Sequence, residues 1–180
     1  VRLILDRTPF YAEGGGQSSD TGYISSETAR AFVFSVEKSD GVIAHCCDVL
    51  EGVFRNGDEV TCEVDVQKRN CTARNHTATH LLQKALRDVL GSHVQQSGSS
   101  VNENMLRFDF SHFEAVTKEQ LDRVQNIVNE KINEFLPVTA SEMSMSEAQK
   151  LGAMALFGEK YGNTVRVVNA GDWSKELCGG

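Results

Sequence analysis

The hydrophobic pattern of this chain changes its period near Asp65, and this change constrains the possible folds more than any other feature. Before Asp65, short apolar stretches are separated by glycine-containing turns. After it, apolar residues recur at the three- and four-residue spacing of a helix. The first part is therefore expected to form β-strands, and the second part is expected to contain long helices.

The first part, residues 1–67, is expected to form a small glycine-rich β-barrel. Short strands separated by glycine turns are typical of such barrels. A loop with three consecutive glycines, "TPFYAEGGGQ", occupies residues 8–17, and "NGD" at residues 56–58 predicts a turn. The predicted strands are 1–5, 22–24, 31–37, 42–46 and 60–66.

The second part, residues 68–180, is expected to be an α+β core with two long helices packed on a mainly antiparallel sheet. One helix is predicted over 66–90 and ends before Gly91. The other is predicted over 118–135, with Thr117 and Gln120 forming a capping box at its start. Strands at 105–110, 138–142 and 164–168 and a short helix at 146–151 complete the prediction.

The charge balance excludes some classes of partner. The 180 residues carry 18 Lys and Arg against 25 Asp and Glu, a net charge of −7. A protein that coats DNA usually has the opposite balance, so no DNA partner is expected. A few local cations can still bind one end of a nucleic acid, and Arg69, Arg74, Lys84 and Arg87 lie close together in the sequence.

The chain contains no sign of a membrane or secretory location. No apolar run approaches the roughly 18 residues that span a bilayer, and no signal-peptide pattern is present. The five cysteines are odd in number, two of them are adjacent, and none forms a CxxC pair. A disulfide framework is therefore not expected, and a reducing cytoplasm is the expected location.

Three residues could bind a metal ion. His76 and His80 are four residues apart, so both imidazoles lie on one face of the predicted helix. Cys178, beside Gly179 and Gly180, would add a thiolate, and this ligand set favours zinc over magnesium or calcium. The alternatives are two ordinary histidines and a cysteine that serves as a small buried apolar residue.

Several ordered motifs together resemble the editing region of bacterial alanyl-tRNA synthetases. They are "LDRTPFYAEGGGQ", "NHTATHLL", "LRFDFSH", "GAMALFGEKYG" and "GDWSKELCGG". The family pattern is HxxxH followed much later by CxxxH, and His76, His80 and Cys178 match its first three ligands to one zinc ion. The fourth ligand would lie four residues after Cys178, beyond the last residue of this sequence. We therefore expect the sequence to be a piece of a longer protein.

The resemblance implies a hydrolase that removes serine or glycine wrongly attached to the acceptor end of tRNA for alanine. In the family, an aminoacylation domain that uses ATP precedes this region and attaches alanine, and no such domain is expected here. The expected partners are therefore this tRNA and the rest of a parent synthetase. The alternatives are a free-standing editing deacylase of the same family and a non-catalytic, zinc-stabilised tRNA-binding module.

The implied chemistry is hydrolysis of an ester between an aminoacyl carbonyl and a ribose hydroxyl. Zinc can polarise the carbonyl or lower the pKa of a bound water, but four protein ligands would leave no open tetrahedral position, and both roles stay open. Rejection of alanine requires a hydrogen bond to the serine hydroxyl. Thr79, adjacent to a ligand, is the first candidate, and Gln96 and Gln17 follow because the resemblance places their regions near the pocket. Each could instead be an ordinary solvated side chain.

Overall fold

The structure, a computed structural model, describes residues 1–153 and 162–179 of the chain. It confirms the predicted α+β class, because it combines antiparallel sheets with helices. Two compact units are present, one formed by Val1–Ala73 with Val101–Met105 and the other by Arg74–Ser100 with Leu106–Gly180. The predicted domains, 1–67 and 68–180, stay predictions about the organisation of the chain.

The first unit is built on a five-stranded sheet in which neighbouring strands are antiparallel. The strand order is β1-β4-β3-β2-β5. No pairing within the described residues joins β5 to β1, so the predicted closed barrel is not confirmed. The strands are β1 (Arg2–Ile4), β2 (Gly22–Ser25), β3 (Arg30–Ser39), β4 (Val42–Glu51) and β5 (Thr61–Val64).

One face of this sheet is apolar and forms the core of the first unit. Along β3, Ala31 and Val33 face the core by simple alternation, and a register shift between Val33 and Ser35 then turns Val36 inward. Ile24 of β2 and Phe10 of the preceding loop complete this buried layer. The predicted turn at residues 56–58 is present, with Gly57 at φ +91°.

A long helix, α1 (Val66–Leu90), has the limits that the sequence predicts. Gly91 ends it in a left-handed conformation at φ +115°. The second long helix, α2 (Lys118–Asn133), begins at the predicted capping box of Thr117 and Gln120. The helices α1 and α2 pack together through a cluster whose buried residues are Ala85, Leu86, Val94 and Val124.

The second unit also contains two sheets and a short helix. The strands β6 (Gln95–Val101) and β7 (Leu106–Ser111) form a two-stranded sheet, and β8 (Val138–Ser144), β9 (Thr164–Ala170) and β10 (Ser174–Leu177) form an antiparallel sheet in the order β10-β9-β8. The short helix α3 (Met145–Lys150) packs its Ala148 against Val165, Val167 and Leu177. The sequence does not predict β6 or β10.

Most of the motif "GAMALFGEKYG", residues 152–162, lies outside the described residues. Among the helices that are described, none has the length and apolar character needed to cross a membrane.

Candidate metal centre

Two histidines stand one turn apart on the middle of α1. The His76 and His80 rings are nearly parallel, with an interplanar angle of 21° and centroids 5.2 Å apart. This is the common face that a four-residue spacing on a helix predicts. Both side chains belong to the second unit and are partly buried.

A cysteine reaches these histidines from the distant end of the chain. Cys178 directly follows β10, and its backbone NH donates a hydrogen bond to the Arg166 carbonyl of β9. Its Sγ lies 3.2 Å from His76 Nε2, and ligand atoms of all three residues lie within 4.8 Å of one another. Bond lengths of about 2.0–2.3 Å to a tetrahedral zinc place its ligand atoms about 3.5 Å apart. The three predicted ligands are thus close enough for one ion after small side-chain adjustments.

The hydrogen bonding of His80 matches that of a histidine that binds a metal ion. Its Nδ1 lies 2.7 Å from Oε2 of Glu176, whose side chain is only 1% exposed. Its other ring nitrogen, Nε2, is buried and has no hydrogen-bond partner in the structure. A buried polar atom without a partner is costly, and a metal ion would satisfy it. Together with the sulfur of Cys178, this atom fits a zinc ion better than it fits a hard cation that prefers oxygen.

The titration behaviour of the cluster is shifted by its own members. Burial would raise the pKa of the Cys178 thiol, but interactions with His76 and His80 outweigh burial and lower this pKa to about 5. Burial would lower the pKa of His80, but interactions with Cys178 and Glu176 outweigh it and raise this pKa to about 9. The sulfur is therefore a thiolate near neutral pH, and the thiolate is the form that binds metal.

Comparison with known proteins adds the family context. Residues 1–68 match the family model described as tRNA synthetases class II (A). The alanine–tRNA ligase of Acetivibrio thermocellus is 57% identical over 181 residues, covering 100% of this chain. Those of Bacillus subtilis and Fusobacterium nucleatum subsp. nucleatum are 55% and 53% identical and cover 100% and 99% of it. This chain is homologous to a segment of alanine–tRNA ligases.

The chain spans about a fifth of the length of these ligases. The matched segment is 21% of the Acetivibrio and Bacillus subtilis proteins and 20% of the Fusobacterium protein. Both the strand-rich first unit and the metal cluster fall inside the matched segment, because the match covers the whole chain.

The residues predicted to contact substrate lie in different places. Thr79 is buried on α1 next to His80, and its hydroxyl donates to the Asn75 carbonyl at 3.0 Å. Gln96 is partly buried on β6, and its amide donates to Ser99 Oγ at 3.0 Å. Gln17 belongs to the first unit. Thr79 and Gln96 thus share the second unit with the metal cluster, while their roles stay predictions.

The glycine-rich loop is held by backbone pairing within the first unit. Gly14 and Gln17 bond to each other across a tight turn, in which Gly15 and Gly16 have φ of +56° and +78°. The Gly16 carbonyl accepts a hydrogen bond from the Val101 NH, and the Ser18 NH donates one to the Val101 carbonyl. These contacts make the glycine run a loop in which the backbone reverses direction.

Cations considered for tRNA binding have partners inside the protein. Arg69 forms an ion pair with the buried Asp20 and also donates to the Pro9 carbonyl at 2.6 Å. Lys84 pairs with Asp88, and Arg87 donates to the Val94 carbonyl at 2.9 Å. These three side chains are therefore already held by contacts within the protein.

Glu176 and Ser174 are residues of the site that the sequence reasoning missed. A signal for them exists, because residues 174, 176 and 178 alternate in "SKELC" and a strand turns alternate residues to the same side. The polar sequence of β10 does not predict a strand, so the period-two pattern indicates these residues only once the strand is known.

Proposed function

We propose that this chain is the editing region of an alanine–tRNA ligase and hydrolyses the ester of serine or glycine wrongly attached to tRNA for alanine. The observation that carries the proposal is the cluster of His76, His80 and Cys178, with the buried, unpartnered Nε2 of His80. It lies in a segment more than half identical to alanine–tRNA ligases. In that setting the attachment of alanine with ATP belongs to other parts of the protein.

In this proposal one zinc ion is held by His76, His80 and Cys178. When bound, zinc supplies a Lewis acid that polarises an ester carbonyl or lowers the pKa of a bound water. The chain contributes a ligand cluster from α1 and from the residue that follows β10. Because Arg166 Nη1 lies 3.5 Å from the Cys178 sulfur, a positive charge also stabilises the thiolate.

Thr79 is proposed to select serine over alanine. Thr79 is 7% exposed, and it is next to His80 in the sequence. Its hydroxyl proton is already directed to Asn75, so its oxygen can only accept a further hydrogen bond. A serine hydroxyl can donate that bond, and the methyl group of alanine cannot. Gln96, in the same unit, is proposed as a further polar contact of this pocket, and Gln17, in the first unit, is proposed as a polar contact of the substrate.

The proposal also includes a cellular location, binding partners and a form for the first domain. We place the protein in the cytoplasm, where its five cysteines, which form no disulfide in the structure, would remain reduced. Its proposed partners are the acceptor end of tRNA for alanine, charged with serine or glycine, and the remainder of a ligase. A glycine-rich barrel over residues 1–67 is the proposed form of the first domain.

The test is deacylation by the intact natural protein that carries this chain. We expect rapid loss of serine from seryl-tRNA for alanine and little loss of alanine from correctly charged tRNA. Cys178→Ala is expected to abolish the hydrolysis without unfolding the protein. Cys71→Ala is the matched control, because Cys71 is also a cysteine outside any disulfide but lies in the first unit.

Two results would contradict the proposal. Equal rates on seryl- and alanyl-tRNA would remove the specificity. Binding of the tRNA without hydrolysis, unaffected by Cys178→Ala, would instead identify a non-catalytic binding module.

A further inference from the structure

A buried carboxylate connects the metal cluster to the end of the chain. Glu176 Oε2 lies 2.7 Å from His80 Nδ1, and Glu176 Oε1 accepts a hydrogen bond from Ser174 Oγ at 3.2 Å. The side chain of His80 is 12% exposed, and Glu176 and Ser174 are 1% and 2% exposed. The three side chains thus form a chain of hydrogen bonds almost shielded from water.

The burial of Glu176 requires both of these contacts. A carboxylate taken out of water loses several kcal/mol of solvation unless hydrogen bonds and an opposite charge replace it. Each of its two oxygens has one partner, Ser174 on one side and His80 on the other. If Glu176 served only the core of the second unit, an apolar residue would fill this place at lower cost.

The contact with Glu176 fixes which nitrogen of His80 carries a proton. At 2.7 Å, Glu176 Oε2 accepts a hydrogen bond from His80 Nδ1, so Nδ1 carries a proton. A metal ion binds a ring nitrogen that carries no proton, so Nε2 is the nitrogen of His80 left to bind it. Nε2 is the buried atom that has no hydrogen-bond partner in the structure. The geometry therefore assigns Nε2, and not Nδ1, to the metal cluster.

We propose that Ser174 and Glu176 are positioning residues that hold His80 as the Nδ1–H tautomer and aim its Nε2 at zinc. The inference rests on the metal site of the proposed function and assigns to two residues a role that the three ligands do not reveal. Because residues 174, 176 and 178 alternate along β10 and its end, one short strand delivers both the thiolate and the group that orients an opposing ligand.

The first measurement is zinc affinity, by competition with a chelator, in the intact natural protein. Glu176→Gln keeps the shape of the side chain, but its amide can also donate to Nδ1 and so permit the wrong tautomer. Loss of such a partner typically weakens metal binding ten- to hundredfold, and we expect a change in that range. Glu142→Gln is the matched control, because Glu142 is an exposed residue of β8 in the same unit.

The second measurement separates positioning from simple stabilisation. In the zinc-loaded wild type, ¹⁵N NMR of the His80 ring should show a proton on Nδ1 and none on Nε2. Glu176→Gln is expected to weaken or exchange-broaden that Nδ1–H signal, because an amide oxygen holds the ring proton less strongly than a carboxylate does. A purely structural role would instead leave the ring signals of the zinc-loaded protein unchanged.

Ser174→Ala provides a variant that does not disturb the carboxylate itself. It removes one of the two hydrogen bonds to Glu176 and is expected to weaken zinc binding less than Glu176→Gln but measurably. Ser141→Ala, on exposed β8, is its control. If Glu176→Gln fails to fold, an unchanged zinc affinity in Ser174→Ala overturns the inference.

The outcomes also distinguish this inference from the proposed function. Zinc binding by the wild type with equal affinity in Glu176→Gln would overturn the positioning role and leave the metal site intact. A wild type that binds no zinc would overturn the metal site and the positioning role together.

Discussion

The hydroxyl proton of Thr79 forms a hydrogen bond within its own helix. This bond determines which substrates the side chain can recognise. The donated bond to Asn75 leaves Thr79 Oγ1 as an acceptor only. An acceptor attracts the hydroxyl of serine and gains nothing from alanine. Discrimination by one neutral hydrogen bond amounts to about 0.5–1.5 kcal/mol, so Thr79 would need further polar contacts to reach high selectivity.

Thr79→Val tests whether the Thr79 oxygen recognises the serine hydroxyl. Valine keeps the shape and removes the acceptor, so we expect the serine-to-alanine ratio of deacylation rates to fall by up to about tenfold. Thr72→Val is a close control. Thr72 is 5% exposed on the same helix and makes the same type of bond, to the Lys68 carbonyl.

The comparison of the two variants isolates the substrate contact. Both lose a helix-internal hydrogen bond, so a similar loss of stability is expected in both, and only Thr79→Val should change the ratio. An unchanged serine-to-alanine rate ratio in Thr79→Val would mean that another side chain recognises serine. Gln96 would be the next candidate.

At the scale of elements, the strongest local signals gave the helices correctly. The apolar spacing that ends at Gly91 predicted α1, and the box of Thr117 and Gln120 predicted the start of α2. Two strands were missed because their sequences, "QQSGSSV" and "SKEL", are polar and poor in β-formers. Pairing with β7 and β9 forms these strands, and such pairing is not visible in the local sequence.

The candidate site was predictable to a similar degree. His76 and His80 share a helix, so their proximity follows from their spacing. Cys178 is far away in sequence, so its spacing says nothing about proximity, and only its ligand chemistry and the resemblance to a known family connect it to them. Glu176 was missed because its partner, His80, lies on a different element, and the strand that carries Glu176 was not foreseen.

Close backbone approach leaves no room for a side chain at Gly52 in the first unit. Gly52, directly after β4, has φ +72°, and a Cβ atom there would lie 1.7 Å from the Thr28 carbonyl oxygen. Gly41 has a similar φ of +81° but open space around its Cα. The same strain therefore applies to alanine at both positions, and only Gly52 adds a collision with backbone.

We expect Gly52→Ala to destabilise the first unit more than Gly41→Ala does, by a further 1–3 kcal/mol or so. The left-handed backbone costs each variant about 1–2 kcal/mol. Native-state hydrogen exchange of β3 amides measures both losses in the intact protein. Equal losses in the two variants would mean that the Gly52 segment moves away from Thr28 without cost.

At the scale of the whole molecule, zinc would join two parts of the chain that are far apart in sequence. His76 and His80 belong to α1, and Cys178 follows the last described strand, β10. Any ligand that binds the folded state and not the unfolded state stabilises it by mass action. Zinc binding stabilises the protein against any partial unfolding that separates Cys178 from His76 and His80. We therefore expect the effect to concentrate in the segments that carry them.

Removal of zinc should change hydrogen exchange in a localised pattern. With free zinc at one hundred times its dissociation constant, binding contributes about 2.7 kcal/mol, which slows exchange through openings that break the site by about one hundredfold. We expect a chelator to restore fast exchange in Ser174–Leu177 and in the part of α1 around His76 and His80. The β3 strand is the internal reference, because its buried residues pack within the first unit. Uniform acceleration over the whole chain would show that the metal controls global unfolding, and no change in Ser174–Leu177 would show that Cys178 is not a ligand.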